Sequence, residues 1–155
     1  MATPVVHRQL ILDDVYTRLA ALKTITPGTD YRHKLVSVVR IPLNFDKLSA
    51  SLCPTVCVYG GAGASSNAPS SSDNDKMAVT ILVYVFADDA RFSGIPVSQL
   101  LEEVVADVEK AMDGDLSRGG RAFFNSRERA TEYREDGVAA MMAIKEMVSY
   151  NRRRT

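Results

Sequence analysis

Two apolar runs that lie close together in the chain constrain its fold more than any other feature. The first is PTVCVYG at Pro54–Gly60, and the second is KMAVTILVYVFAD at Lys76–Asp88. Both are rich in the β-branched and aromatic residues that favour strands. The second is apolar on both alternating faces, as expected of a central strand covered on both sides. One face holds Met77, Val79, Ile81, Val83 and Val85, and the other holds Ala78, Thr80, Leu82, Tyr84 and Phe86. The pair predicts two neighbouring strands of one sheet.

Two other segments have the spacing of amphipathic helices. The first follows Thr3-Pro4, which resembles a capped helix start, and Thr26-Pro27-Gly28 is expected to stop it. Its apolar stripe consists of Ile11, Leu12, Val15, Leu19 and Leu22. The second is SQLLEEVVADVEKAM at Ser98–Met112, and Gly114 is placed to end it. Its predicted buried stripe is Leu101, Val104, Val105, Val108 and Met112.

Two further segments are predicted strands. Lys34–Ile41 is short and β-branched, and the proline that follows suits a strand at a sheet edge. Val138–Tyr150 is ambiguous, because its alanines and methionines favour helix. As a strand it places four apolar residues on one face, interrupted by Glu146, and we therefore choose the strand. Those four residues are Met142, Ile144, Val148 and Tyr150.

The order of these segments, α-β-β-β-α-β, predicts an α+β fold. We expect a mainly antiparallel sheet of about four strands with two helices packed on one face. The 155 residues fit a single domain, residues 1–155. The polar segment Ala62–Asp75 is expected to be a mobile loop. Arg118–Gly137 is expected to be a basic loop or loose hairpin anchored by Phe123 and Phe124, and residues 151–155 form a basic tail.

Charge is balanced overall but uneven along the chain. The 19 basic and 19 acidic residues cancel, which argues against a dedicated nucleic-acid binder. Phe86–Asp115 holds eight acidic residues, whereas Arg118–Arg134 holds five arginines. An acidic helix beside a basic arm suits head-to-tail contact between identical subunits, and two solvated surfaces are the alternative.

The basic arm also carries aromatic residues, for which there are three interpretations. Interleaved aromatic residues can stack on bases, a surface hairpin is the plainest alternative, and a protein interface is the third. We prefer the interface. Its candidate residues are Arg118, Arg121, Phe123, Phe124, Arg127, Arg129 and Arg134 on the arm, with Glu102, Glu103 and Asp107 on the acidic helix.

Two short segments resemble ligand-binding motifs but do not match them. The glycines at Gly60–Gly63 follow a predicted strand, but neither phosphate-loop pattern is matched, so we expect a turn. Asp113–Ser117 resembles the start of a calcium loop. The positions that require glycine and glutamate hold Arg118 and Phe124, so a helix end rich in aspartate is the better interpretation.

Histidine and cysteine give no further support for a catalytic centre. His7 and His33 are far apart, and neither has a companion at metal-ligand spacing. Cys53 and Cys57 are about 13 Å apart in an extended chain, too far for a disulfide, so both are expected to be reduced. We predict no catalytic, cofactor-binding or metal-binding residues and no enzyme. Neither a signal peptide nor a membrane span of about 20 apolar residues is expected.

The segment order also resembles a known family. HRQLILDDVYTRLAAL leads to PTVCVYGG and MAVTILVYVFADD, and SQLLEEVVADVEKAM and MMAIKEMVSY complete the series. Together these resemble the tail terminator, or tail completion, proteins of long-tailed bacteriophages. The resemblance runs from about Val5 to Tyr150 and rests on order and texture rather than on a signature motif. Extra residues at Asp30–Ser51 and the loop at Ala62–Asp75 depart from shorter members.

The resemblance implies a structural virion protein. Such proteins form a ring, typically six-fold, that caps the finished tail tube, ends its polymerisation and offers a docking surface to the head connector. The implied partners are further copies of the chain, the tail tube protein and a head-side connector or head-completion protein. The ring leaves a passage for DNA, with no specific nucleic-acid partner and no membrane. The implied location is the head-proximal end of the tail, after assembly from the host cytoplasm.

Two alternatives remain open from the sequence. One is another head-tail neck protein, such as a head-completion protein. The other is a small ligand-binding or enzymatic α/β domain whose site is built from residues outside known motifs.

Overall fold

A five-stranded sheet with helices on one face makes up the described part of the chain. The computed structural model describes residues 7–28, 30–61, 74–87, 89–92, 94–120 and 122–151. Within these ranges the strands are β1 (Ser37–Val39), β2 (Thr55–Gly61), β3 (Asn74–Phe86), β4 (Phe123–Tyr133) and β5 (Ala139–Asn151). The helices are α1 (His7–Ala20), α2 (Asp89–Phe92) and α3 (Val97–Asp113), with 3₁₀ turns at Ala21–Lys23, Phe45–Lys47 and Ala50–Leu52.

The sheet has the strand order β1-β2-β3-β5-β4. β1 pairs with β2 in parallel, and the other described pairings are antiparallel. The predicted α+β class with a mainly antiparallel sheet is therefore confirmed. The described sheet nevertheless has five strands rather than about four, because β4 runs through the segment expected to be a loop or loose hairpin.

The main core lies between the sheet and the two long helices. α1 buries Ile11, Val15 and Leu19 in one cluster with Val56 and Val58 of β2, the strand on which it packs. The buried residues of α3 are Leu100, Leu101, Val104, Val105, Asp107, Val108 and Met112. Each fully buried aliphatic side chain contributes about 1.5–3 kcal/mol relative to an exposed one. The predicted stripes of both helices and both predicted faces of β3 are confirmed.

The opposite face of the sheet is covered at one end by the segment 43–53. Its Leu48 and Cys53 pack with Cys57 and Tyr84 of the sheet. The Tyr84 hydroxyl accepts a hydrogen bond from the Leu43 backbone N–H at 3.2 Å and so ties the segment down. Both cysteines are free and buried, as predicted. Burial raises the thiol pKa of Cys53 to about 12 and that of Cys57 to about 11.

The two glycines expected to form a turn instead continue β2. Gly60 is paired with Val79 and Gly61 with Ala78. A Cβ atom on Gly60 would lie only 3.3 Å from the Leu12 side chain, so the missing side chain lets α1 approach the strand closely. The turn expected at Gly60 and Gly61 is therefore wrong, and the missing side chain of Gly60 serves helix packing.

The remaining element boundaries agree with the sequence in part. Val138–Tyr150 is a strand, as chosen, and β1 is an edge strand, although it spans only three residues. Asn74 and Asp75, assigned to the polar loop, begin β3. The predicted helix cap at Thr3-Pro4, the rest of that loop and the tail at 152–155 lie outside the described residues.

Enlarging Gly60 should destabilise the protein. We expect Gly60→Val to lower the free energy of unfolding by about 1–3 kcal/mol, because the branched side chain overpacks the contact with Leu12. Urea unfolding measures the change. Gly28→Val is the control, since a Cβ there meets only the Thr26 carbonyl oxygen at 3.9 Å. Equal stabilities for the two variants would contradict close packing at Gly60.

Candidate functional site

A buried ion pair joins the end of α3 to the β4–β5 hairpin. Arg118 and Glu146 are both fully buried, and the Arg118 guanidinium donates to the Glu146 carboxylate. Its other terminal nitrogen donates to the backbone carbonyls of Met112 and Asp115, each at 2.8 Å. A buried arginine needs its charge balanced. Both terminal nitrogens of Arg118 have partners, whereas its buried Nε has none among the described residues. Glu146, which interrupts the apolar face of β5, supplies that balance.

The backbone of Arg118 is also unusual. Its φ angle is 53°, in the left-handed region that favours glycine. The chain accepts that conformation at a residue whose side chain closes the last turn of α3. The side-chain contacts of Arg118 therefore offset an unfavourable local geometry.

A second arginine extends the ion pair into a network. Arg127 donates to Glu109 at 2.9 Å, to Asp113 at 2.7 Å and to Glu146 at 3.1 Å. Arg129 donates through Nε to Glu109 at 2.9 Å. Burial opposes the charged form of Arg127, but hydrogen bonds to Asp113 and Glu146 outweigh it, so its pKa is raised. The network fixes the acidic side of α3 against β4 of the same chain.

This network changes the expected role of several interface candidates. Arg118 is fully buried, so the idea that it faces a neighbouring subunit is wrong for the folded chain. Arg127 and Arg129 meet the acidic helix, as the charge pattern suggested, but within one chain rather than between chains. This pairing within one chain differs from both interpretations of the charge pattern, contact between subunits and two solvated surfaces.

Of the acidic interface candidates on α3, two make contacts within the chain and one is exposed. Asp107 is buried, and its carboxylate accepts backbone N–H bonds from Arg32 at 3.0 Å and His33 at 2.8 Å. Glu103 lies 3.5 Å from the Arg32 guanidinium and 3.6 Å from His33 Nε2. These two carboxylates hold the chain before β1 against α3. Glu102 is exposed on the outer side of the helix.

The last basic candidates differ again. Arg134 donates to the Leu48 carbonyl at 3.2 Å and to Asp136 at 2.8 Å, so it fastens the segment 43–53 to the β4–β5 turn. Its side chain is only 15% exposed. Arg121 lies outside the described residues.

The aromatic candidates lie on the surface. Phe123 is 64% exposed and Phe124 38% exposed, so neither is the apolar anchor that the sequence suggested. The Arg127 guanidinium lies over the Phe124 ring, 5.5 Å from its centroid. Tyr133, at the other end of β4, is 50% exposed. The outer strand of the sheet thus presents an aromatic side chain at each end.

Two charged surfaces of opposite sign lie beside opposite edges of the sheet. The basic groove beside β1 is an open depression of about 410 Å³. It is lined by Pro27, Arg32, His33, Lys34, Val36, Pro54, Arg91, Phe92 and Ile95. The acidic tip of the β4–β5 hairpin is lined by Phe45, Asp46, Glu132, Tyr133, Arg134, Glu135 and Asp136. Sequence reasoning missed both, because each combines residues from separate segments.

The aspartates after α3 close a turn. Asp115 accepts hydrogen bonds from the Ser117 hydroxyl and from the backbone N–H groups of Ser117 and Gly119. These bonds hold the pKa of Asp115 down at about 2. Among the described residues, no group of three or more His, Cys, Asp or Glu could hold a metal ion. No described helix is both long and apolar enough to span a membrane.

No protein-family model matches the chain, and no curated protein matches it significantly. We therefore infer function from the sequence and from the surfaces described above.

Removing one partner of the buried pair should be strongly destabilising, and removing both should cost less than the sum of the two single changes. We expect Glu146→Ala to lower the free energy of unfolding by about 3–5 kcal/mol, because Arg118 keeps a buried charge without its carboxylate. Arg118→Ala combined with Glu146→Ala should cost less than the sum of Arg118→Ala and Glu146→Ala alone by about 1–3 kcal/mol. Urea unfolding of all variants gives the coupling energy.

An exposed ion pair provides the control for this cycle. Arg129 is 48% exposed, so Arg129→Ala should cost only about 0–1 kcal/mol, although it also removes a bond to Glu109. Additive effects of the Arg118 and Glu146 substitutions would contradict the buried network as a coupled unit.

Proposed function

We propose that this protein is a ring-forming subunit of a phage tail terminator, which caps the tail tube and offers its outer surface to the head connector. The segment order that resembles this family is the first support for this function. In this role the protein catalyses no reaction. It acts by binding copies of itself, the tube protein and the head-side connector. It would act at the head-proximal end of the tail.

The observation that carries the proposal is the outer strand β4. All but one of its residues are exposed. An edge strand leaves a row of outward backbone N–H and C=O groups available for another chain, and proteins usually keep such edges short or blunted. β4 spans 11 residues and adds Phe123 and Tyr133 to that edge. A long, aromatic edge suits a subunit whose neighbours cover it.

The buried network supports the same proposal from within. Arg118, Glu146 and Arg127 fix α3 to the hairpin, so β4 is held at a set position relative to the helix layer. A ring closes only if every subunit presents its two contact surfaces at a constant angle. A hairpin held rigidly against α3 would meet that requirement.

The two alternatives carry different expectations. Another neck protein would share a ring-like assembly but bind on the head side, so binding to tail tubes separates it from a terminator. A ligand-binding domain would use an open depression such as the one lined by Tyr59, Thr80 and Lys145. Such a domain needs no ring.

Negative-stain microscopy with light scattering tests the proposal. We expect the purified protein to form rings with a central hole, with six-fold class averages and a matching mass in solution. A strict monomer at every concentration would contradict the proposed function.

A variant of the exposed edge sharpens this experiment. Phe123→Ser should weaken ring formation while leaving the thermal midpoint nearly unchanged, because the side chain is 64% exposed in the single subunit. Leu52→Ser is the control, since Leu52 is 45% exposed but belongs to the segment 43–53 and not to β4. Equal effects of the two substitutions on assembly would count against β4 as the contact edge.

A further inference from the structure

The basic groove and the acidic hairpin tip lie at the same end of the sheet. β1 starts opposite Thr55, and Thr55 is paired with Tyr84 near the end of β3. β4 ends at Tyr133 opposite Ala140, one residue from the pairing of Phe86 with Ala139. β1 and β4 are the two edges, with four inter-strand steps between them, or about 19 Å. The two surfaces therefore flank one end of the subunit from opposite sides.

The basic groove combines positive charge with an apolar floor. The Arg32 side chain is 69% exposed, with its guanidinium 3.5 Å from Glu103 of α3, and Lys34 is exposed beside it. Arg91 also reaches the groove, where its guanidinium donates to the Cys53 carbonyl at 2.7 Å. Val36, 45% exposed, contributes apolar surface between these charges together with Ile95. Such a groove suits a carboxylate-rich segment that also carries an apolar side chain.

The acidic tip has the complementary composition. Asp46, Glu132 and Glu135 are exposed, and Asp136 is already paired with Arg134. That pairing neutralises the one basic side chain of the tip, which leaves it negative. Tyr133 stands among these carboxylates and is 50% exposed. The tip therefore offers an aromatic side chain surrounded by negative charge.

We propose that the basic groove of one subunit receives the acidic hairpin tip of the next copy of the same chain. In this contact Tyr133 packs on the apolar floor around Val36, and Glu132 and Glu135 face Arg32 and Lys34. The inference rests on the proposed function and assigns two of the surfaces that build its ring.

The occupant is a second copy because each surface supplies what the other lacks. The charges are opposite, both surfaces have an exposed apolar centre, and both belong to a chain with no net charge. The two surfaces differ, so the contact is heterologous: each subunit uses its groove towards one neighbour and its tip towards the other. Repetition of such a contact generates a ring when the rotation between subunits closes.

Charge reversal on each side tests the contact. The groove variant is Arg32→Glu with Lys34→Glu, and the tip variant is Glu132→Lys with Glu135→Lys. Each alone places like charges across the contact, so we expect rings to be lost and monomers to dominate in light scattering and negative-stain images. Lys34→Glu alone should weaken rings more than Lys76→Glu. Lys76 is the matched control, because it lies near the start of β3 and so at the other end of the sheet from the groove. Circular dichroism checks that every variant remains folded.

Mixing the two reversed variants tests whether the groove and the tip meet directly. The groove variant is acidic on both surfaces and the tip variant basic on both, so an equimolar mixture should recover rings in which the two alternate. Rings restored by mixing, after neither variant forms them alone, support the proposal. Native rings that both reversals leave intact would overturn this contact while the proposed function stands. A native chain that never forms rings would overturn the proposed function and this contact together.

Discussion

The buried network in which Glu146 bridges Arg118 and Arg127 is the interaction on which the rest of the structure depends. It connects the last turn of α3, the loop that follows and both strands of the β4–β5 hairpin. β4 is exposed along almost its whole length and gains little from apolar burial. Besides its backbone pairing with β5, this network is what holds the strand to the helix layer.

The sequence predicted the elements that bury apolar side chains. The stripes of α1 and α3 and the alternating faces of β3 follow directly from hydrophobic periodicity, because burial imposes the period. β5 was also recognised, although its alanines and methionines favour helix.

The sequence could not predict β4 or the network, for physical reasons. An exposed edge strand has no apolar alternation, so its pairing with β5 left no local signal in the arginines around Arg127. Glu146 did leave a signal, because a carboxylate on an otherwise apolar face needs a buried partner. That partner, Arg118, lies 28 residues earlier, and only the folded chain brings them together. The two charged surfaces could not be predicted either, because each is formed by residues from segments that are far apart in the sequence.

The fold changes the interpretation of the uneven charge along the sequence. The acidic helix and the basic arm, which suggested contact between subunits, largely neutralise each other inside one subunit. Charge that stays on the surface includes Lys34 in the basic groove beside one edge of the sheet and Glu135 in the acidic tip beside the other. We infer that the internal pairs give the subunit its rigidity and that the edge charges direct assembly.

Sedimentation velocity across ionic strength tests this division most directly. Exposed charges are screened strongly near 1 M salt, where the Debye length is about 3 Å, whereas the buried network is shielded from the salt. We expect ring-sized species at low salt that shift to smaller species at high salt, with unchanged circular dichroism throughout. Assemblies whose sedimentation does not respond to salt, or that fall apart only as the fold is lost, would contradict this division of roles.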